Sequence, residues 1–168
     1  DDSKLAIVGN QLQQIIKSHH LNVQNVIFTL DSQLTVVKKT PFDESLSDTE
    51  LIDQVDWEVK EFSYSAEDNY IVDFYKLKST NKRNAHELII VAIREQLINH
   101  LRKMFSAAKL KVRVIDLDVF AAARAIEVNY DLRIGDIVAL VEINPTGFLF
   151  TLIEDKEYCL SQETPLSK

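Results

Sequence analysis

Residues 112–127 read Val-Arg-Val-Ile-Asp-Leu-Asp-Val-Phe-Ala-Ala-Ala-Arg-Ala-Ile-Glu, and they constrain the fold more than any other stretch. Val112, Val114, Ile115 and Leu117 form the branched, apolar run of a strand covered on both faces. Asp118 follows at once, and its carboxylate can accept the free N–H groups of a first helical turn. Ala121, Ala122, Ala123 and Ala125 then make a helix nearly bare of side chains. Such a helix can lie very close to a sheet, with Phe120 and Ile126 to lock it there. Ala122 and Ala125 are expected to face that sheet. A strand that runs straight into a closely docked helix is the repeating unit of an α/β fold.

The rest of the chain supports this reading. Its 168 residues are 46% hydrophobic, enough to bury one core or two small ones. The net charge of −7 argues against nucleic acid as the main partner, because phosphate binding needs clustered Lys and Arg. A single cysteine, Cys159, excludes an internal disulfide framework and any thiolate zinc cluster. No apolar run approaches the length of a membrane span, and no signal-peptide pattern is present. Three glycines in all leave little room for Gly-rich phosphate loops.

In chain order, Leu5, Val8, Leu12, Ile15 and Ile16 recur at helical spacing, with Gly9 as a mild cost inside that helix. Residues 23–30 and 33–39 read as two strands around Asp31-Ser32, a tight turn pair. Ser47-Asp48-Thr49-Glu50 is a capping box that starts a helix running to Phe62. Residues 70–78 and 87–93 read as a strand pair, and 94–108 as a helix with Leu97, Ile98, Leu101, Met104 and Phe105 on one face. After the organising stretch, residues 136–142, 147–154 and 157–161 read as three strands, with 162–168 as a loose tail. The order is α-β-β, α-β-β-α, β-α, β-β-β.

Catalytic chemistry is sparse. No Ser or Cys nucleophile sits in a recognisable elbow. No His and acid spacing suggests a metal site, and neither catalytic residues nor metal ligands are assigned. Nucleotide chemistry has one place to occur, the segment from Val141 to Leu152.

Several stretches together resemble the type IV pilus assembly protein PilM family of the actin-like superfamily, to which the cell-division protein FtsA also belongs. Residues 115–125 resemble the family segment V-D-x-x-x-F-A-L-A-R-A. Leu51, Val55, Trp57 and Glu58 match the helix E-L-x-x-x-V-x-W-E, without the Ile-Pro-Phe that usually follows. Residues 88–97 resemble V-L-L-V-A-A-R-K-E-L. Residues 105–112 resemble L-x-x-A-G-L-x-P, with Lys109 in place of the glycine. The Val141–Leu152 segment resembles the phosphate hairpin that opens the second half of actin-like ATPases. There the family has an Asp-x-Gly turn; here the acid is Glu142, and Asn144-Pro145 replaces the glycine. Glu142, Asn144 and Thr146 are the remnants that the resemblance marks as cofactor-binding.

The resemblance implies a truncated α/β actin-like (ribonuclease H-like) fold with an inserted small α+β two-layer subdomain. Residues 1–42 would begin the first subdomain, 43–114 would be the insert, 115–135 the return, and 136–168 the start of the second subdomain. It implies a non-catalytic cytoplasmic scaffold, peripheral at the inner membrane, that binds a short cytoplasmic peptide of a PilN-type assembly protein. The peptide would lie in an acidic, partly apolar groove between insert and main body, with Trp57 and Phe62 as anchors. No cofactor is expected in this chain, with ATP and Mg²⁺ left to a longer parent, and homo-oligomerisation stays open. The alternative is a partial actin-like ATPase or sugar-kinase-like enzyme with a degenerate phosphate loop.

Overall fold

The computed structural model describes residues 2–62, 69–77, 86–145 and 147–165. Among the described residues, four α-helices and eight strands follow one another in the expected order: α1 (Asp2–Ser18), β1 (Asn25–Leu30), β2 (Thr35–Phe42), α2 (Asp48–Phe62), β3 (Tyr70–Lys76), β4 (His86–Arg94), α3 (Glu95–Ala107), β5 (Lys111–Leu117), α4 (Asp118–Asn129), β6 (Ile137–Asn144), β7 (Gly147–Glu154) and β8 (Glu157–Pro165). The last strand takes in much of what the sequence suggested was a tail, because β8 pairs with β7 as far as Pro165 against Gly147.

The strands sort into three sheets: β1-β5, β2-β4-β3 and β6-β7-β8. β1 runs parallel to β5, whereas β2 runs antiparallel to β4. Asp31-Ser32 is therefore a crossover between sheets and not a hairpin turn. Asp31 accepts the Gln33 N–H at 2.9 Å and starts a short 3₁₀ turn that swings the chain away from β1. Strand pairing crosses the position expected to begin the insert, residue 43. β2 precedes that position but belongs with β3 and β4, and β5 belongs with β1 although most of it precedes residue 115.

Two apolar cores follow. In the first, Ile98, Leu101 and Phe105 of α3 meet Leu30 of β1 and Leu117 of β5. Phe28 meets Phe105 edge to face, with ring centroids 5.4 Å apart. Leu12 and Ile16 of α1 close one side, and Val119 of α4 is fully buried in the same cluster. In the second core, Leu51 and Val55 of α2 pack on Leu88 and Ile90 of β4. The Ser47 box forms as expected: the Ser47 N–H reaches Glu50 Oε2 at 2.9 Å, and the Glu50 N–H reaches Ser47 Oγ at 3.4 Å.

The expected Asp118 cap does not form as such: Leu117 holds the N-cap position with no side-chain cap, and Asp118, the first residue of α4, accepts the Val119 N–H on its Oδ1 at 2.7 Å. The same oxygen accepts the Ser32 N–H at 3.0 Å, so one carboxylate fixes both the start of α4 and the exit from β1. The alanine face differs from expectation. Ala122 is half-buried but Ala125 is exposed. Val119 sets the inward stripe, and positions three, four and seven residues later carry it along the helix. Those positions are Ala122, Ala123 and Ile126, which leaves Ala125 on the outside.

Candidate functional site

β4 alternates strictly. Leu88 and Ile90 point into the core under α2, so Ile89, Val91 and Ile93 point to the opposite face of the sheet. β3 adds Ile71, Asp73 and Tyr75 to that face, paired with Ile93, Val91 and Ile89 respectively. The face is not covered along its whole length. Across from it stand β5, α4 and the turn from β7 to β8, and between them runs a groove of about 840 Å³. Ala123 and Arg124 of α4 line its far wall, and Arg102 of α3 lies at one side. Phe120 and Tyr158 brace that wall edge to face, with centroids 5.1 Å apart and planes at 81°. The small side chain of Ala123 helps keep the groove open.

The groove is lined by Asp73, Asp116, Glu127, Asp155 and Glu157 against Arg102, Arg124 and Lys156, five acids to three bases. Some of these charges are already engaged. Arg124 lies 3.8 Å from Asp116, and Asp116 also accepts the Leu117 N–H at 2.9 Å. Asp155 accepts the N–H of Gly135. What remains is an apolar strip bordered by acidic groups, the surface that an extended peptide with apolar and basic residues complements.

The expected anchors lie elsewhere. Trp57 is 58% exposed on α2, which covers the other face of the β2-β4-β3 sheet, and it does not line the groove. Phe62, at the end of α2, is occupied by Tyr70, 6.1 Å away edge to face, and by the Lys38 ammonium, 6.0 Å from the ring centre. The stripe Leu51–Val55–Glu58–Phe62 fixes which side of α2 is inward, and Trp57 falls off it. Glu58, which from the sequence matches the family-like helix but reads as lying off its apolar stripe, is 6% exposed and bonded to Lys38 at 2.5 Å and Thr40 at 2.7 Å. These partners hold its carboxyl below the usual range.

The β6–β7 turn is built for closure and not for phosphate. Asn144 Oδ1 accepts the Gly147 N–H at 2.8 Å, and Pro145 has no N–H to offer. Gly147 has no side chain because β8 passes over it: a Cβ there would meet the Thr164 carbonyl at 2.6 Å. The described residues of this turn therefore do not fit a phosphate group, since no free amide converges on one. Thr146 lies outside the described residues. Glu142 is half-buried, and its Oε1 has no hydrogen-bond partner among the described residues. Burial, and then the charge of Asp118, push its carboxyl up. Among the described residues, no group of three or more His, Cys, Asp or Glu is placed to hold a metal ion, and no helix is long and apolar enough to cross a membrane.

A parallel β1-β5 pair carrying a helix–sheet insert and followed by an antiparallel three-stranded sheet defines an α/β protein of actin-like architecture. Solved structures share it. A chain of the "PilM-PilN type IV pilus biogenesis complex" superposes with a TM-score of 0.79 at 14% identity, over 96% of this chain and 48% of that one. The cytoplasmic domain of EpsL, an inner membrane component of the type II secretion system of Vibrio cholerae, gives 0.58 at 13% identity, over 94% of this chain and 56% of that one. At such identities the likeness is one of fold, and this chain spans only about half of either relative. No curated protein matches the sequence. The family model for type IV pilus assembly protein PilM matches residues 2–166, and the chain belongs to that family.

Proposed function

We propose that this chain is a non-catalytic scaffold, peripheral at the cytoplasmic face of the inner membrane, that holds a short extended segment of a PilN-type assembly protein. The observation that carries the reading is the groove between the β3–β4 face and α4. It is long, apolar along its floor and acidic at its borders, and none of the described helices fills it. Ile71 and Tyr75, with Val91 between β3 and the groove floor, would take apolar side chains of the segment, and the groove acids would take its basic ones. The family membership and the PilM–PilN title of a structural relative agree with such a partner.

The test is calorimetric titration of the chain with the cytoplasmic segment of a PilN-type protein, repeated with Ala123→Trp. An indole at Ala123 fills the groove from the α4 side without entering the core. Saturable binding by the parent and its loss in a variant that melts like the parent support the reading. Equal binding by both, or none by the parent, removes it.

A further inference from the structure

Asp73 stands in the middle of an apolar strip. It lies opposite Val91, between Ile71 and Tyr75 along β3, on the face that looks into the groove. Aspartate is disfavoured in strands, and a valine across the ladder offers it nothing. Its one bond among the described residues is local: Oδ1 accepts the N–H of Phe74 at 2.9 Å. That bond orients the carboxylate and leaves its second oxygen without a partner among the described residues. Asp116 and Asp155 differ, since each is tied to a group elsewhere on the wall. Among the described residues Asp73 makes no ion pair, so their packing does not explain the charge.

We propose that Asp73 is the specificity-determining residue of the groove, and that it selects a lysine or arginine at the centre of an apolar–x–basic–x–apolar segment. Alternate residues of an extended peptide recur about every 7 Å, the same spacing as Ile71, Asp73 and Tyr75 along β3. A segment lying along β3 therefore sets every second side chain against apolar, acidic and aromatic positions in turn. Ile71 and Tyr75 are 40% and 53% exposed, so their surfaces are available to the flanking apolar residues. The excess of acids around the groove favours a cationic segment over a neutral or acidic one. The inference rests on the groove being a peptide site, and it adds which residue reads the sequence.

Three labelled peptides test it by fluorescence anisotropy: Ser-Ser-Leu-Ser-Lys-Ser-Leu-Ser-Ser, and matched peptides with norleucine or glutamate in place of the lysine. The parent should bind the lysine peptide about tenfold more tightly than the norleucine peptide, and the glutamate peptide more weakly still. Asp73→Asn should retain the parent's melting temperature and bind lysine and norleucine peptides alike. Asp73→Lys should reverse the order of lysine and glutamate. If Asp73→Asn keeps the lysine preference, or the parent does not discriminate, the selection by Asp73 is overturned while the groove stands. If Ala123→Trp leaves the lysine preference intact, the peptide binds elsewhere and the proposal falls. If the parent binds none of the three, groove and selection fall together.

Discussion

Gly9 of α1 rests directly on the main-chain carbonyl of Met104 in α3, closer than any side chain would allow. A Cβ built on Gly9 would overlap that oxygen and would stand 2.8 Å from the Cβ of Ala107. The glycine is the contact point at which two helices cross. Gly9→Ala should improve helix propensity by up to about 1 kcal/mol but force the helices apart, at about 1–3 kcal/mol. The expected net result is a loss of roughly 1–2 kcal/mol, read by urea denaturation with the slope unchanged. A gain in stability would mean that α1 does not dock on α3 in this way.

Lys109 ends α3 in the left-handed region, at φ +60°. The Leu110 N–H reaches back to the Phe105 carbonyl at 2.9 Å and the Lys109 N–H to that of Ser106 at 2.9 Å, the pattern that most often ends on glycine. This is also the position at which the resembling family pattern has glycine. Lys109→Gly should therefore stabilise the chain by about 0.5–1 kcal/mol, through release of left-handed strain partly offset by a looser unfolded chain. Differential scanning calorimetry checks it, and a lower melting temperature would contradict it.

Much of the fold is legible in the sequence because local signals agree with one another. The Ser47–Glu50 box starts α2, Asp118 stands in the first turn of α4, and the alternation in residues 70–78 with the continuous apolar run of 87–93 marks the strands that pair as β3 and β4. The partner of β1 is not legible. Asp31-Ser32 fits a hairpin or a crossover equally well, and only the distant β5 decides between them. The groove could be anticipated from a two-layer insert with an uncovered sheet face, but not its wall. Runs of alanine carry no bulk to mark the inward side, so Ala125 was interchangeable with Ala123 until Val119 fixed the phase. Trp57 stands out by aromatic size alone; the helical phase set by Leu51 and Val55 turns it away from the insert's core and from the groove.

Glu58 ties α2 to β2 through Lys38 and Thr40. Those bonds, with Lys38 the larger cause, depress its carboxyl below the ordinary glutamate value of 4.5. A depressed acid stabilises the folded chain above its unfolded value, and that contribution is lost as pH falls through the lower folded value. Stability should thus decline below about pH 4.5 in part because of Glu58. Lys38→Met leaves the carboxylate without its counter-ion. With Lys38 partly solvated, the loss should be about 1–2 kcal/mol at neutral pH and should shrink once Glu58 is protonated. Denaturation curves at several pH values test this, and a penalty independent of pH would point to lost packing instead.

Glu142 behaves in the opposite sense. Its carboxyl is raised by burial and by Asp118, so ionisation works against the folded state. The sign is that stability falls as pH rises from the ordinary glutamate value of 4.5 through the raised one. Glu142→Gln should stabilise the chain at neutral pH by on the order of 1 kcal/mol or less, with the difference fading in acid. The same geometry predicts no saturable micromolar binding of ATP with Mg²⁺, because the Gly147 amide is already bonded to Asn144. Calorimetric titration with nucleotide checks the second point, and micromolar binding would refute the scaffold reading for this chain.

Trp57 separates a peptide groove from a patch on α2. The ring is exposed, and α2 packs on the sheet face turned away from the groove. Trp57→Ala should therefore change stability by no more than about 0.5 kcal/mol, the usual range for a surface position. Peptide affinity should stay within about twofold of the parent, less than the roughly 2 kcal/mol loss that marks an aromatic hot spot. Thermal melts and the same PilN-type titration measure both quantities. Lost stability would mean that the indole packs more deeply than its exposure indicates. Lost binding with retained stability would move the partner site from the β3–β4 face to α2.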